Sequence, residues 1–150
     1  MPIPYNLAIE FTPITLRRMV DCVPIDRYGE KFDAERFNLT EMVAHLADWE
    51  VLFLDRMVVA FETPGATVVG YDEGQRAIDK HYATRDLQHE LDVFENRRRD
   101  TLEFIRSLAP EDWEKSFIHP DAGPRSIRDQ ITLLLGHDLY HLEQASHYLR

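Results

Sequence analysis

Residues 87–108 read LQHELDVFENRRRDTLEFIRSL, and in them Leu87, Leu91, Phe94, Arg98, Thr101, Ile105 and Leu108 fall at alternating steps of four and three. That spacing keeps one stripe on one face of a helix, the seam expected of a helix packed in a bundle. The centre of the stripe is polar. Arg98 and Thr101 could line a water-filled or functional cavity at mid-bundle, or the buried face could rotate towards Leu102 and leave Arg98 in solvent. The second arrangement is preferred, because charged side chains are rarely fully buried.

Working outward, glycine and proline cluster around Pro24 to Gly29, Pro64 to Gly74, Pro110, and Pro120 to Pro124, and so cut the chain into four long helical pieces. The first, about Asn6 to Val23, carries Leu7, Phe11, Ile14, Leu16, Met19, Val20 and Val23, with Pro13 as a kink or first-turn residue. The second runs from Asn38 to Phe61, with Asn38 as N-cap and Glu41 in the capping-box position. The fourth starts at Ser126, with Asp129 three residues on, and continues to the C-terminus through Ile127, Ile131, Leu134, Leu135, Leu142 and Leu149. Two connections, Pro24 to Phe37 and Glu62 to Thr84, exceed the usual helix–helix loop. Asp72 to Tyr82 reads as a short helical piece within the second of them. Ala66 to Tyr71 is the one β-like run, too short to found a sheet. The pattern predicts an all-α four-helix bundle with long connections, residues 1–150 forming one domain.

Composition narrows the function. A formal net charge of -10 opposes any polyanion, so no nucleic acid is expected as a partner. The single cysteine, Cys22, can make neither an internal disulfide nor a CxxC zinc site, and fits a reducing compartment. Met1 to Glu10 carries two prolines and no apolar run of signal-peptide length, and Val51 to Phe61 is interrupted by Asp55 and Arg56. A cytoplasmic protein without a membrane segment is expected. Against one cysteine stand seven histidines.

Two of them form an HxxxH pair, His137 and His141, in the fourth helical stretch. Residues four apart project about 40° from one another and ~6 Å along the axis, so both imidazoles can address one ion. Half-buried histidines also fall four apart by chance. The same segment contains HDxxH, similar to the HExxH zinc-protease helix, with Asp138 in the place of the general base. No third-ligand motif follows it, and the protease reading is set aside. His45, flanked by Ala44 and Leu46, is the best candidate for a third ligand; a core histidine bonded to a backbone carbonyl is the competing account. His81, His89, His119 and His147 need only loop or surface roles.

Taken in order, several blocks resemble the DinB/YfiT-like superfamily of bacterial four-helix bundles. They are Phe37-Asn38-Leu39-Thr40-Glu41-Met42-Val43-Ala44-His45-Leu46-Ala47-Asp48, Tyr71-Asp72-Glu73 with Tyr82, Leu108-Ala109-Pro110-Glu111-Asp112-Trp113, His119-Pro120 with Gly123, and Gly136-His137-Asp138-Leu139-Tyr140-His141-Leu142-Glu143-Gln144. The chain departs from the family pattern at Phe37, where tryptophan is common, and at Tyr140, where a further histidine often sits. The resemblance implies a divalent metal held by His45, His137 and His141. Three neutral imidazoles leave an ion its full charge and an open position, the pattern of catalytic sites, and suit zinc, nickel, iron or copper. Asp48, Asp138 and Glu143 are candidate acceptors for imidazole N–H groups, or surface carboxylates. Arg98 is a candidate anion-binding residue.

Two classes of function follow. In the first, the protein is a metal-dependent enzyme acting on a small-molecule substrate, either a hydrolase using metal-activated water or a thiol S-transferase using a metal-bound low-molecular-weight thiol. In the second, it is a non-catalytic, metal-stabilised or dimerising stress-response bundle. The resemblance also implies a homodimer.

Overall fold

The computed structural model describes residues 5–150, with side chains described from residue 8. Five α-helices, α1 (Tyr5–Asp21), α2 (Leu39–Glu62), α3 (Glu73–Asp79), α4 (Leu87–Ser107) and α5 (Ile127–Ser146), are joined by one antiparallel hairpin, β1 (Ser116–His119) and β2 (Gly123–Ser126). The four long helices form the expected bundle, and no helix of the described residues is long and apolar enough to cross a membrane.

Helix ends follow from local chemistry. Asn38 accepts from the Glu41 amide while the Glu41 carboxylate accepts from the Asn38 amide, and Ser126 and Asp129 repeat the arrangement at α5. Each closes two otherwise orphaned amides. Helix α5 stops at Ser146 and gives way to a 3-10 turn, His147–Leu149, short of the continuous helix expected. The predicted helical piece in the long connection is α3, capped by Asp72, followed by a 3-10 turn at Tyr82–Thr84. Leu7, placed on the apolar stripe of the first helix, lies outside the described side chains. Phe11 and Ile14 are exposed; the buried face of α1 is Ile9, Thr12, Leu16 and Val20.

The hairpin was not anticipated. Its strands are four residues each, carry little periodicity, and turn at Gly123, whose φ of 73° suits glycine. The β-like run Ala66 to Tyr71 lies along β1: Thr67 bridges Ile118 in parallel, the Val68 amide donates to the Ile118 carbonyl, and the Ile118 amide donates to the Ala66 carbonyl.

Around the bundle, α2 packs on α4 and α5, and α1 packs on α4 and α5, so that α1 and α2 are diagonal. Glu50 of α2 meets Arg98 of α4, and Ala47 meets Arg97, whereas His45 of α2 meets His137 of α5 and Phe37 meets Gln144. Helix α2 therefore runs alongside α4 and against α5. Because α2 and α4 share a direction, the chain between them must return along the bundle, which explains the long connection that carries α3.

The core has two apolar parts. One contains Leu16, Val20, Leu46, Leu91, Phe94 and Ala145; the other contains Ile9, Phe53, Met57, Leu102, Ile131 and Leu134. Between them each long helix contributes a buried polar residue: Thr12, Glu50, Arg98 and Asp138. Arg98 is 1 % exposed, which corrects the expectation of a solvated side chain. Its guanidinium donates to both oxygens of Glu50 at 2.7 and 2.9 Å and to both of Asp138 at 2.6 and 2.9 Å, so its charge is compensated twice over. Burial alone would favour the neutral form; the two carboxylates reverse that and raise its pKa.

Candidate metal centre

The capping box at Asn38 starts α2 so that Met42, Val43 and Leu46 enter the core, and His45, one position from Leu46, is carried inward with them to 1 % exposure. On α5, the four-residue step puts His137 and His141 one above the other, facing α2. One ring nitrogen from each of His45, His137 and His141 lies within 4.8 Å of the other two. His45 Nε2 and His137 Nε2 face each other at 2.8 Å. His141 engages Gln144 Oε1 through Nδ1 at 3.0 Å, which leaves Nε2 for the cluster. Gln144 in turn donates to the Phe37 carbonyl, so the entry to α2 and the third histidine are tied together.

Burial makes all three imidazoles poor bases. Burial first, then the neighbouring rings of His137 and His141, pushes His45 far below the ordinary histidine range. Burial, with His141 and Arg98 nearby, lowers His137 to about 3, and burial lowers His141 to about 4 against the bond from Gln144. At neutral pH each ring is uncharged and offers a lone pair, the form in which histidine binds a cation.

A divalent ion is consistent with this arrangement on two observations. An ion about 2.0–2.1 Å from tetrahedral nitrogen ligands holds them about 3.3 Å apart, within the spread of the cluster. The Nδ1 atoms of His45 and His137 are buried without a hydrogen-bond partner, and facing Nε2 atoms leave one of those two rings presenting an unmatched lone pair. A cation between the Nε2 atoms would take the lone pairs of both facing rings, with each ring's proton on Nδ1.

None of the three candidate carboxylates, Asp48, Asp138 and Glu143, bonds to His45, His137 or His141. Asp138 is committed to Arg98 and Thr12. Asp48 binds the Arg76 guanidinium, with one contact at 2.9 Å, and accepts from Tyr82 Oη at 2.6 Å. Burial would raise its pKa, but these bonds hold it below the usual carboxylate range. Glu143 is exposed and pairs with Arg36 and His147. All five guanidinium hydrogens of Arg98 are taken up by Glu50, Asp138 and the Ile9 carbonyl, so its expected anion-binding role is replaced by a structural one.

The residue that spacing did not reveal is Glu73. The Asp48–Arg76–Tyr82 contacts hold α3 against α2, and Glu73, at the start of α3, places Oε1 3.7 Å from His45 Nε2. Burial, then Asp72, raises its pKa. Glu73, Tyr140, His141, Gln144, Arg36 and Phe37 line a small recess of about 70 Å³ at the mouth of the cluster. Only the Tyr71-Asp72-Glu73 block had hinted at this residue.

Comparison with known proteins agrees with the geometry. A family model described as the DinB superfamily matches residues 8–145. A protein of Oceanobacillus iheyensis, whose name assigns it provisionally to the metal-dependent hydrolases, is 26% identical over 131 residues, 85% of this chain and 76% of its own. YfiT from Bacillus subtilis, described as a probable metal-dependent hydrolase with an unusual four-helix bundle topology, superimposes with a TM-score of 0.90 at 18% identity, over 96% of this chain and 83% of that one. The mycothiol-dependent maleylpyruvate isomerase superimposes with a TM-score of 0.75 at 12% identity, over 94% of this chain and 60% of that one.

Proposed function

This chain belongs to the DinB superfamily, and from that membership we propose that it is a metal-dependent hydrolase whose ion is held by His45, His137 and His141. The observation that carries the reading is the convergence from two helices of three imidazoles, those of His45 and His141 buried and that of His137 half-buried, all neutral at physiological pH. A divalent ion held by three neutral ligands keeps an open position and its full charge, and lowers the pKa of bound water towards neutrality.

The protein's own groups supply the rest. Gln144 orients His141 by accepting at Nδ1, and the close packing of Phe37, Trp49 and Phe53 around His45 and His137 limits water to the mouth of the site. Glu73 stands at that mouth with its carboxylate beside His45, positioned to accept a proton at Oε1 from the attacking nucleophile. Partial burial, then Asp72, raises the Glu73 pKa, a direction that favours proton acceptance by this half-exposed carboxylate.

A second reading, transfer of a low-molecular-weight thiol, is supported by the likeness of fold to the mycothiol-dependent isomerase and by the absence of a protein thiol at the site, since Cys22 is exposed on the segment after α1. The test begins with metal analysis of protein purified without an affinity tag, beside His137→Ala. One ion per chain in the first and none in the second is expected; no ion in either, after reconstitution, overturns both readings. Activated esters offered to the metal-loaded protein then separate them, with turnover in water alone marking a hydrolase and turnover only with added cysteine-derived thiol marking a transferase.

A further inference from the structure

Arg56 is the second buried arginine of the bundle, and unlike Arg98 it has no carboxylate partner. It is 8 % exposed, and its one hydrogen bond runs from Nη2 to the Val69 carbonyl at 3.3 Å. Among the described residues no ion pair reaches it, although Asp55 precedes it in sequence. Burial lowers its pKa, with Tyr71 opposing that shift and Arg76 adding to it. Only Nη2 is bonded and no Arg56 nitrogen is buried without a partner, so the remaining guanidinium N–H groups reach the solvent of an open cleft, where an anion can meet them.

Arg56 sits on the wall of an open cleft of about 650 Å³, apart from the mouth of the histidine cluster. Gln130 lines the same cleft, is 1 % exposed, and has a buried amide nitrogen with no partner. His119 lines it too: its Nδ1 accepts from the Asp121 and Ala122 amides, which places the ring hydrogen on Nε2 and makes that nitrogen a donor. Phe117 and Leu133 supply apolar surface, and at Gly136 a Cβ would meet nothing within 4 Å, so the floor is open. We infer that this cleft binds the carboxylate of a small organic monoanion, with Arg56 as the anchoring cation and Gln130 and His119 as further donors.

The charge balance selects the ligand class. Arg125, also on the cleft, lies close enough to Asp129 to help hold that carboxylate low, and Asp129 Oδ2 is taken up by the Ser126 amide. The rim therefore adds little net charge, and Arg56 alone is uncompensated. One negative charge neutralises it, while a dianion leaves an excess facing Asp129. A planar carboxylate also matches the guanidinium fork with two parallel bonds, and an aliphatic chain has Phe117 and Leu133 to rest against. This site stands apart from the metal reading. Arg56 follows His45 by eleven residues, about three turns and ~16 Å along α2.

The test is a titration of the protein as purified with butyrate, read from the side-chain ¹H–¹⁵N signals of Arg56 and Gln130. Saturable shifts are expected, weakened at least tenfold in Arg56→Met, weakened in Gln130→Met, and unchanged in His137→Ala. Absence of saturable shifts, equal binding by Arg56→Met, or tighter binding of inorganic phosphate than of butyrate would each overturn the proposal. Loss of metal from His137→Ala with butyrate binding intact separates this site from the metal centre.

Discussion

Pro13 and Arg98 are coupled through a single carbonyl. Proline lacks the amide hydrogen that would bond to the oxygen four residues back, so Pro13, inside α1, leaves the Ile9 carbonyl free; Arg98 Nη1 donates to that oxygen at 2.7 Å. Helix α1 thus continues through a proline because a guanidinium from α4 supplies the missing donor.

Removing Arg98 would leave Glu50 and the Ile9 carbonyl buried and unmatched, and Asp138 with Thr12 alone. Arg98→Ala is expected to lower the unfolding free energy by about 3–5 kcal/mol, measured by denaturant titration. In a Pro13→Ala background the carbonyl regains a helix amide, so the same substitution should cost less, with a coupling of roughly 0.5 kcal/mol or more in the double-mutant cycle. Strict additivity would dissolve the proposed coupling.

Gln144 holds His141 through Nδ1 and is itself anchored to Phe37. Gln144→Ala should weaken metal binding by about 10–100-fold without abolishing it, since supporting partners of ligating histidines have effects of that order. Competition against a chromogenic chelator would read the change, and an unaltered affinity would show that His141 needs no such support.

The metal-free protein should lose stability in acid. The folded-state pKa values of His137 and His141, about 3 and about 4, lie below the 6.5 of an unfolded histidine, so from pH 6.5 downward the unfolded chain binds more protons. The contribution is complete above pH 6.5 and fades as pH falls, levelling off below about 4 for His141 and about 3 for His137. Melting temperatures recorded from pH 7 to pH 4 should decline, and His141→Gln should flatten the decline. Saturating metal should move its onset to lower pH.

Glu73 is assigned to proton transfer and the histidines to the ion. Glu73→Gln should therefore retain metal while reducing kcat by about 10²–10⁴-fold, the range for a positioned general base. Asp48→Asn, which weakens the brace between α2 and α3, should reduce kcat in the same direction. Metal loss in Glu73→Gln would instead make Glu73 a ligand.

The caps at Asn38 and Ser126, the stripe through residues 87–108 and the HxxxH pair were all legible along the chain, because each depends on the helix period and on neighbours within four residues. His45 was legible as an inward histidine for the same reason, and the family resemblance paired it with α5. The fate of Arg98 was not. A burial rule applied residue by residue sends arginine to solvent, whereas Glu50, Asp138 and the proline-freed Ile9 carbonyl, brought from three other helices, make its burial favourable. Likewise Glu73 reaches His45 through the return of a long connection, and Arg56 is distinguished by the partner it lacks. Local periodicity set the helices and the faces they bury; the pairing of charges across those faces is non-local, and it arose when the chain closed into the bundle.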